Sequence, residues 1–78
     1  MRYFFDINTD GATAVDDEGM DLANAEAAQA EAVRSICDLS KELIKSRELA
    51  SFAITVGDER GKLMTTSLDV KVNRHRLD

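Results

Sequence analysis

Proline and tryptophan are missing from these 78 residues, and there is one cysteine, one histidine and four glycines. Without proline there is no proline-rich linker, and every turn falls to Gly, Asn, Asp or Ser. With Cys37 alone, no disulfide can form inside the chain, and a lone thiol fits a reducing compartment. Cys37 and His75 together fall short of a four-ligand zinc site, so neither a metal nor a cofactor is expected. No apolar run reaches bilayer length. The opening Met1-Arg2-Tyr3-Phe4-Phe5-Asp6 has neither the longer apolar stretch nor the small-residue cleavage site of a signal peptide. The expected place is the cytoplasm, away from membranes. Walker loops, Gly-x-Gly-x-x-Gly and Gly-x-Ser-x-Gly are all absent, which leaves no catalytic motif and points away from an enzyme.

Basic residues are scarce in the first half. Eight acids lie between Asp6 and Glu31 with no Lys or Arg among them, whereas nine basic residues face seven acids from Ala32 onward. A phosphate backbone needs clustered cations, so a nucleic-acid partner is not expected. The acidic half suits solubility or a basic protein partner.

What is present is a globular composition, 44% apolar with 32% charged, spread without repeats or linkers over a single domain, residues 1–78. A chain this short buries only about 60–65% of its unfolded surface, and small folds add a disulfide, a metal or a partner chain. With the first two excluded, association remains, and a homodimer is the expected state.

Residues 2–7 read as a first strand, with Tyr3, Phe5 and Ile7 on one face and Arg2, Phe4 and Asp6 on the other. Asn8-Thr9-Asp10-Gly11 supplies turn chemistry before a weaker second strand at about 12–16. Asn24 is the candidate cap of a helix over about 25–46. Spacings of three and four line up Ala25, Ala28, Ala32, Ile36, Leu39 and Leu43, with Glu31, Arg34, Asp38, Lys41, Glu42 and Lys45 on the opposite side. Glu31 with Arg34 and Arg34 with Asp38 are spaced to pair. A third strand is expected at 51–57, with Phe52, Ile54 and Val56 facing one way. Asp58-Glu59-Arg60-Gly61 signals a type I turn with a bulged glycine, followed by a fourth strand at 62–73. The tail from Arg74 to Asp78 reads as frayed.

The expected architecture is therefore α+β, in the order β-β-α-β-β. It is a four-stranded antiparallel sheet of order 2-1-3-4 with one long helix packed on one face. One helix covers one face. The other would carry Phe4, Thr55, Ser67, Asp69 and Lys71, and the fourth strand would be a long free edge.

The opening Arg2-Tyr3-Phe4-Phe5-Asp6-Ile7, the Asp16-Asp17-Glu18-Gly19 block and the alanine-rich helix resemble a group of short bacterial proteins classed as a domain of unknown function. Phe52-Ala53-Ile54-Thr55-Val56 with Asp58-Glu59-Arg60-Gly61 is similar to that family's second hairpin. The resemblance runs from Arg2 to about Val72, with Asn24 where many relatives carry Asp. It implies the fold and brings no activity, ligand or catalytic residue.

Asp16-Asp17-Glu18-Gly19, with Asp10 and Asp21 nearby, could hold Ca²⁺ or Mg²⁺ weakly, but it lacks EF-hand spacing and reads first as a solvated loop before a helix. Cys37 in mid-helix has neither a base nor a cationic setting and reads as a half-buried packing residue. His75 and Lys71 lie in a small basic stretch of the kind a polar tail carries. A candidate interface remains on the uncovered face: Phe4, Thr55, Asp69 and Lys71. Phe4 matters most, because large aromatics concentrate at interface cores. The expected function is a non-enzymatic interaction module that self-associates. The alternatives are a regulatory adaptor, antitoxin-like, covering a basic partner, and a weak divalent-metal binder using the acidic loop.

Overall fold

The computed structural model describes residues 1–43 and 49–76. The elements are β1 (Arg2–Thr9), β2 (Ala12–Ala14), β3 (Met20–Asp21), α1 (Ala25–Leu43), β4 (Leu49–Asp58) and β5 (Gly61–Lys71). All strand pairs are antiparallel, and the sheet runs β2-β1-β4-β5, with β3 also pairing β1.

This corrects the expected count of strands from four to five. The four anticipated strands keep their neighbours, and the fifth, β3, forms within residues read as a loop. Two residues carry no periodicity, so β3 had no signature in the sequence. The second strand also ends at Ala14 instead of 16, and the last at Lys71 instead of 73. The expected helix residues 44–46 lie outside the described residues.

β1 runs to Thr9 because a two-residue turn closes the first hairpin. Thr9 pairs with Ala12, leaving Asp10 at φ 49° and Gly11 at φ 90°. Two positive φ values in succession define the primed turn whose twist matches a hairpin, and Asp-Gly accepts them readily. Asn8 braces it, its Oδ1 accepting from the Gly11 N–H at 3.1 Å and its Nδ2 donating to Thr13 Oγ1 at 2.8 Å. In the second hairpin Asp58 pairs with Gly61, which sits at φ 119°, and Asp58 Oδ1 accepts the Arg60 N–H at 2.8 Å.

The register sorts side chains onto two faces. Phe5 opposite Val56, Ile7 opposite Ile54, Val56 opposite Met64 and Phe52 opposite Leu68 form the core face. One buried cluster joins Tyr3, Ala50, Phe52, Ile54 and Val56 of the strands to Ala28, Ala32 and Ile36 of α1. The alanines present only a methyl group, so the helix backbone can lie close. Asn24 caps α1, its Oδ1 accepting the Ala27 N–H at 2.9 Å.

Two helix positions differ from expectation. Cys37 is exposed, and the buried polar residue beside it is Ser40, whose hydroxyl donates to the Cys37 carbonyl at 2.8 Å. Cys37 lies about 100° round the helix from Ile36, which carries it off the buried stripe. Glu31, read as solvent-facing, has a side chain only 11% exposed, although it still pairs with Arg34. It sits on the flank of α1 that overlooks the β1 edge.

Candidate functional site

The four candidate interface residues do share the face opposite the core. Phe4 and Thr55 lie near one end, with Phe4 opposite Gly57 and Asp6 opposite Thr55. Asp69 and Lys71 lie near the other end, opposite Ser51 and Leu49. Six residues along β4 separate Ser51 from Gly57, about 20 Å at strand rise, so the four do not meet as one cluster. Around them the face is polar. Thr55 and Thr65 hydroxyls approach to 3.4 Å, and Ser51 Oγ donates to Asp69 Oδ1 at 2.7 Å.

Phe4 is half-buried, and what covers it is the acidic loop. Gly19, at φ 77°, passes so close that an added Cβ would lie 2.9 Å from the Phe4 ring edge, from Arg2 Cγ and from the Tyr3 carbonyl oxygen. The aromatic expected to wait for a partner already packs within its own chain. Its register position could not reveal this, because the cover comes from a loop.

That loop has a structural duty centred on Asp16. β2 pairs with residues 7–9 of β1 and β3 with residues 2–3, which leaves the stretch between them without a strand partner on that side. Asp16 fills the gap. Its Oδ2 accepts the Phe5 N–H at 3.0 Å, and its own N–H donates to Asp6 Oδ1 at 2.9 Å. Its Oδ1 also accepts the N–H groups of Gly19 at 3.0 Å and Glu18 at 3.1 Å. The bonds from Gly19, then Phe5, and less strongly Glu18 and the Arg2 charge, hold the Asp16 carboxyl below its ordinary value against partial burial. Arg2 clamps the far side, donating to the Glu18 carbonyl and to Asp21 Oδ2 at 3.2 Å. Of the carboxylates proposed for a cation, Asp16 is thus already committed to backbone amides. Among the described residues no group of three or more His, Cys, Asp or Glu is arranged to hold a metal ion.

Two open surfaces bear on function among the described residues. The first is a groove of about 350 Å³ between α1 and the β2–β3 edge. Phe5 and Ile7 floor it, the exposed Val15 and Met20 rim it, and Glu31 and Ser35 form the helix wall. It arises because α1 sits closest to β4 and β5, leaving the apolar side chains of β1 partly uncovered.

The second is the outer edge of β5, which has no strand beyond it among the described residues. Its hydrogen-bonding phase follows from contacts already described. The Phe5 N–H points away from β4, to Asp16, so Phe5 and Val56 are a non-hydrogen-bonded pair. Val56 therefore bonds toward Met64, and Thr66 and Leu68 share that inward phase. The N–H and C=O groups of Thr65, Ser67 and Asp69 point outward. The Asp10 N–H reaching the Ser51 carbonyl at 3.0 Å agrees with this alternation.

Lys71 ends β5, and the exposed His75 lies in the segment after it. No helix among the described residues is long and apolar enough to cross a membrane. The groove was missed in the sequence because its walls come from β1, the 15–20 stretch and α1. Phe5, Ile7, Val15 and Met20 show no common spacing.

Residues 2–69 match the model of a family described as Domain of unknown function (DUF6894), and the chain belongs to that family. No curated protein matches it, and no solved structure does.

Proposed function

We propose that this member of the DUF6894 family is a non-enzymatic interaction module that associates with a second copy of itself through the free edge of β5. The observation that carries this reading is the edge itself, an 11-residue strand with no strand beyond it among the described residues. Unpaired strand edges recruit further strands unless they are short, bulged, charged, proline-bearing or covered. The charges of β5, Lys62, Asp69 and Lys71, lie toward its ends and leave the centre uncharged. β5 has its register shift only near the turn, at the Val56/Gly57 level, and contains no proline.

Surface area supports the same reading. The accessible surface is 5741 Å², whereas a monomer of this length exposes about 4,700 Å². The radius of gyration of 14.5 Å likewise exceeds the compact expectation of about 11.5 Å. The excess of about 1,000 Å² is of the order that a specific interface buries. The Phe4-centred face is a weaker candidate, since the acidic loop already covers that ring.

Light scattering after gel filtration, across a dilution series, tests the reading. The expected result is a dimer in the wild type and in Phe4→Ser, and a folded monomer in Ser67→Pro. That proline removes an outward N–H and leaves the ladder to β4 intact. A monomeric wild type at all concentrations, or a dimer lost in Phe4→Ser and kept in Ser67→Pro, overturns it.

A second reading, an adaptor for a basic partner, is favoured by the groove. Apolar Phe5, Ile7 and Met20 lie beside Glu31 and Asp16, a setting that fits a segment with both cationic and apolar side chains. A cationic leucine-lysine peptide should shift the NMR signals of these residues, and Met20→Asp should abolish the effect. Unchanged spectra would discard this reading.

A further inference from the structure

We infer that two copies join β5 to β5 in antiparallel fashion about a two-fold axis at Thr66, giving one continuous sheet; this rests on the edge reading above. Two observations set the register. The hydrogen-bonding phase requires outward groups of one copy to meet outward groups of the other, so residues of the Thr65, Ser67 and Asp69 set must face one another. An axis at Thr66 does this, because Thr65 of each copy then exchanges hydrogen bonds with Ser67 of the other.

About this axis the regular ladder spans Met64 to Leu68, because the register shift at the Val56/Gly57 level breaks the alternation before Met64.

Side-chain chemistry is close to palindromic about the same point. On the core face Met64 meets Leu68 and Thr66 meets itself. On the open face the hydroxyls of Thr65 and Ser67 meet, and Leu63 meets Asp69. The three charges of the strand, Lys62, Asp69 and Lys71, face Val70, Leu63 and Gly61, so no like charges oppose. Moving the axis to Asp69 would set the two carboxylates against each other, a destabilising pair. Self-complementarity of this kind marks a two-fold interface, in which one patch must fit itself. Partly exposed Met64 and Leu68 would gain apolar neighbours across the junction, extending the core cluster they already border.

Cross-linking tests the register. Thr66 belongs to the inward phase, so Thr66 opposite Thr66 is a non-hydrogen-bonded pair with Cα atoms about 4.5 Å apart. That separation lies within disulfide reach, about 4.4–6.8 Å. In a Cys37→Ser background, Thr66→Cys should oxidise to a covalent dimer in near-complete yield on non-reducing electrophoresis. Met64→Cys and Leu68→Cys alone should cross-link at least tenfold less, and an equimolar mixture of the two should cross-link readily. The mixture keeps the test open if Thr66→Cys fails to fold. A dimer by light scattering that instead cross-links through Thr65→Cys or Ser67→Cys, or through none of these, overturns the register and leaves the edge reading standing. A wild type that is monomeric throughout overturns both.

Discussion

Asp16 gathers three amide N–H groups, from Phe5, Glu18 and Gly19, onto one carboxylate. Replacing it with alanine strands those donors, and Asp16→Ala should cost about 2–3 kcal/mol of unfolding free energy, read by urea denaturation. The bonds depress the native carboxyl pKa, so the stabilisation is complete above the unfolded aspartate value near 3.9. It is lost as pH falls through the lower native value. Stability followed by circular dichroism should decline below about pH 4 in the wild type, with a shallower decline in Asp16→Asn. Glycine supplies a second test at this scale. Gly11 and Gly19 both have positive φ, but an added Cβ meets nothing within 4 Å at Gly11 and three atoms at 2.9 Å at Gly19. Gly11→Ala should cost about 1 kcal/mol for its backbone conformation alone. Gly19→Ala should cost at least about 2 kcal/mol more, since one of the three atoms is a backbone oxygen.

At the scale of elements, α1 shows how far a periodic pattern carries. Ala25, Ala28, Ala32, Ile36 and Leu39 could be aligned by spacing, and Asn24 by its place before them. Ala28, Ala32 and Ile36 prove buried, while Ala25 and Leu39 are partly so. The fully buried Ala32 leaves no room for a larger side chain. Ala32→Leu should destabilise by about 1–3 kcal/mol, while Ala30→Leu on the exposed side should be neutral within about 0.5 kcal/mol. Paired thermal melts separate the two. β3 is the opposite case. Two residues, Met20 and Asp21, become a strand only because Arg2 and Tyr3 lie alongside them. The Arg2–Asp21 ion pair at 3.2 Å, exposed on both sides, adds little energy to that pairing. Glu31 shows the same limit within the helix, since its spacing marks it as outward although its side chain is only 11% exposed.

Across the whole molecule, the 51 × 21 × 17 Å extents describe a long, thin body, with the paired β4 and β5 supplying much of the length. A shape of that kind keeps more surface wet than a sphere of equal mass, and the proposed pairing at β5 would reduce it. If folding is coupled to pairing at β5, the thermal midpoint should rise with protein concentration. Melts across a hundredfold dilution should show this in the wild type and lose it in Ser67→Pro. A concentration-independent midpoint in both would mean that the folded monomer is self-sufficient.

The alternating apolar residues of β1, β4 and β5, the Asp-Gly and Asp-Glu-Arg-Gly turns, and the capped alanine stripe are local signals. They depend on neighbours within a few positions, and the sequence alone therefore determined the class, the order of the four anticipated strands and the helix, and the two faces of the sheet. The cover over Phe4, the shelter of Glu31, the strand made by Met20 and Asp21 and the role of Asp16 depend on segments up to 26 positions apart meeting in space. Those meetings follow from chain closure and packing, and tertiary structure alone decided them.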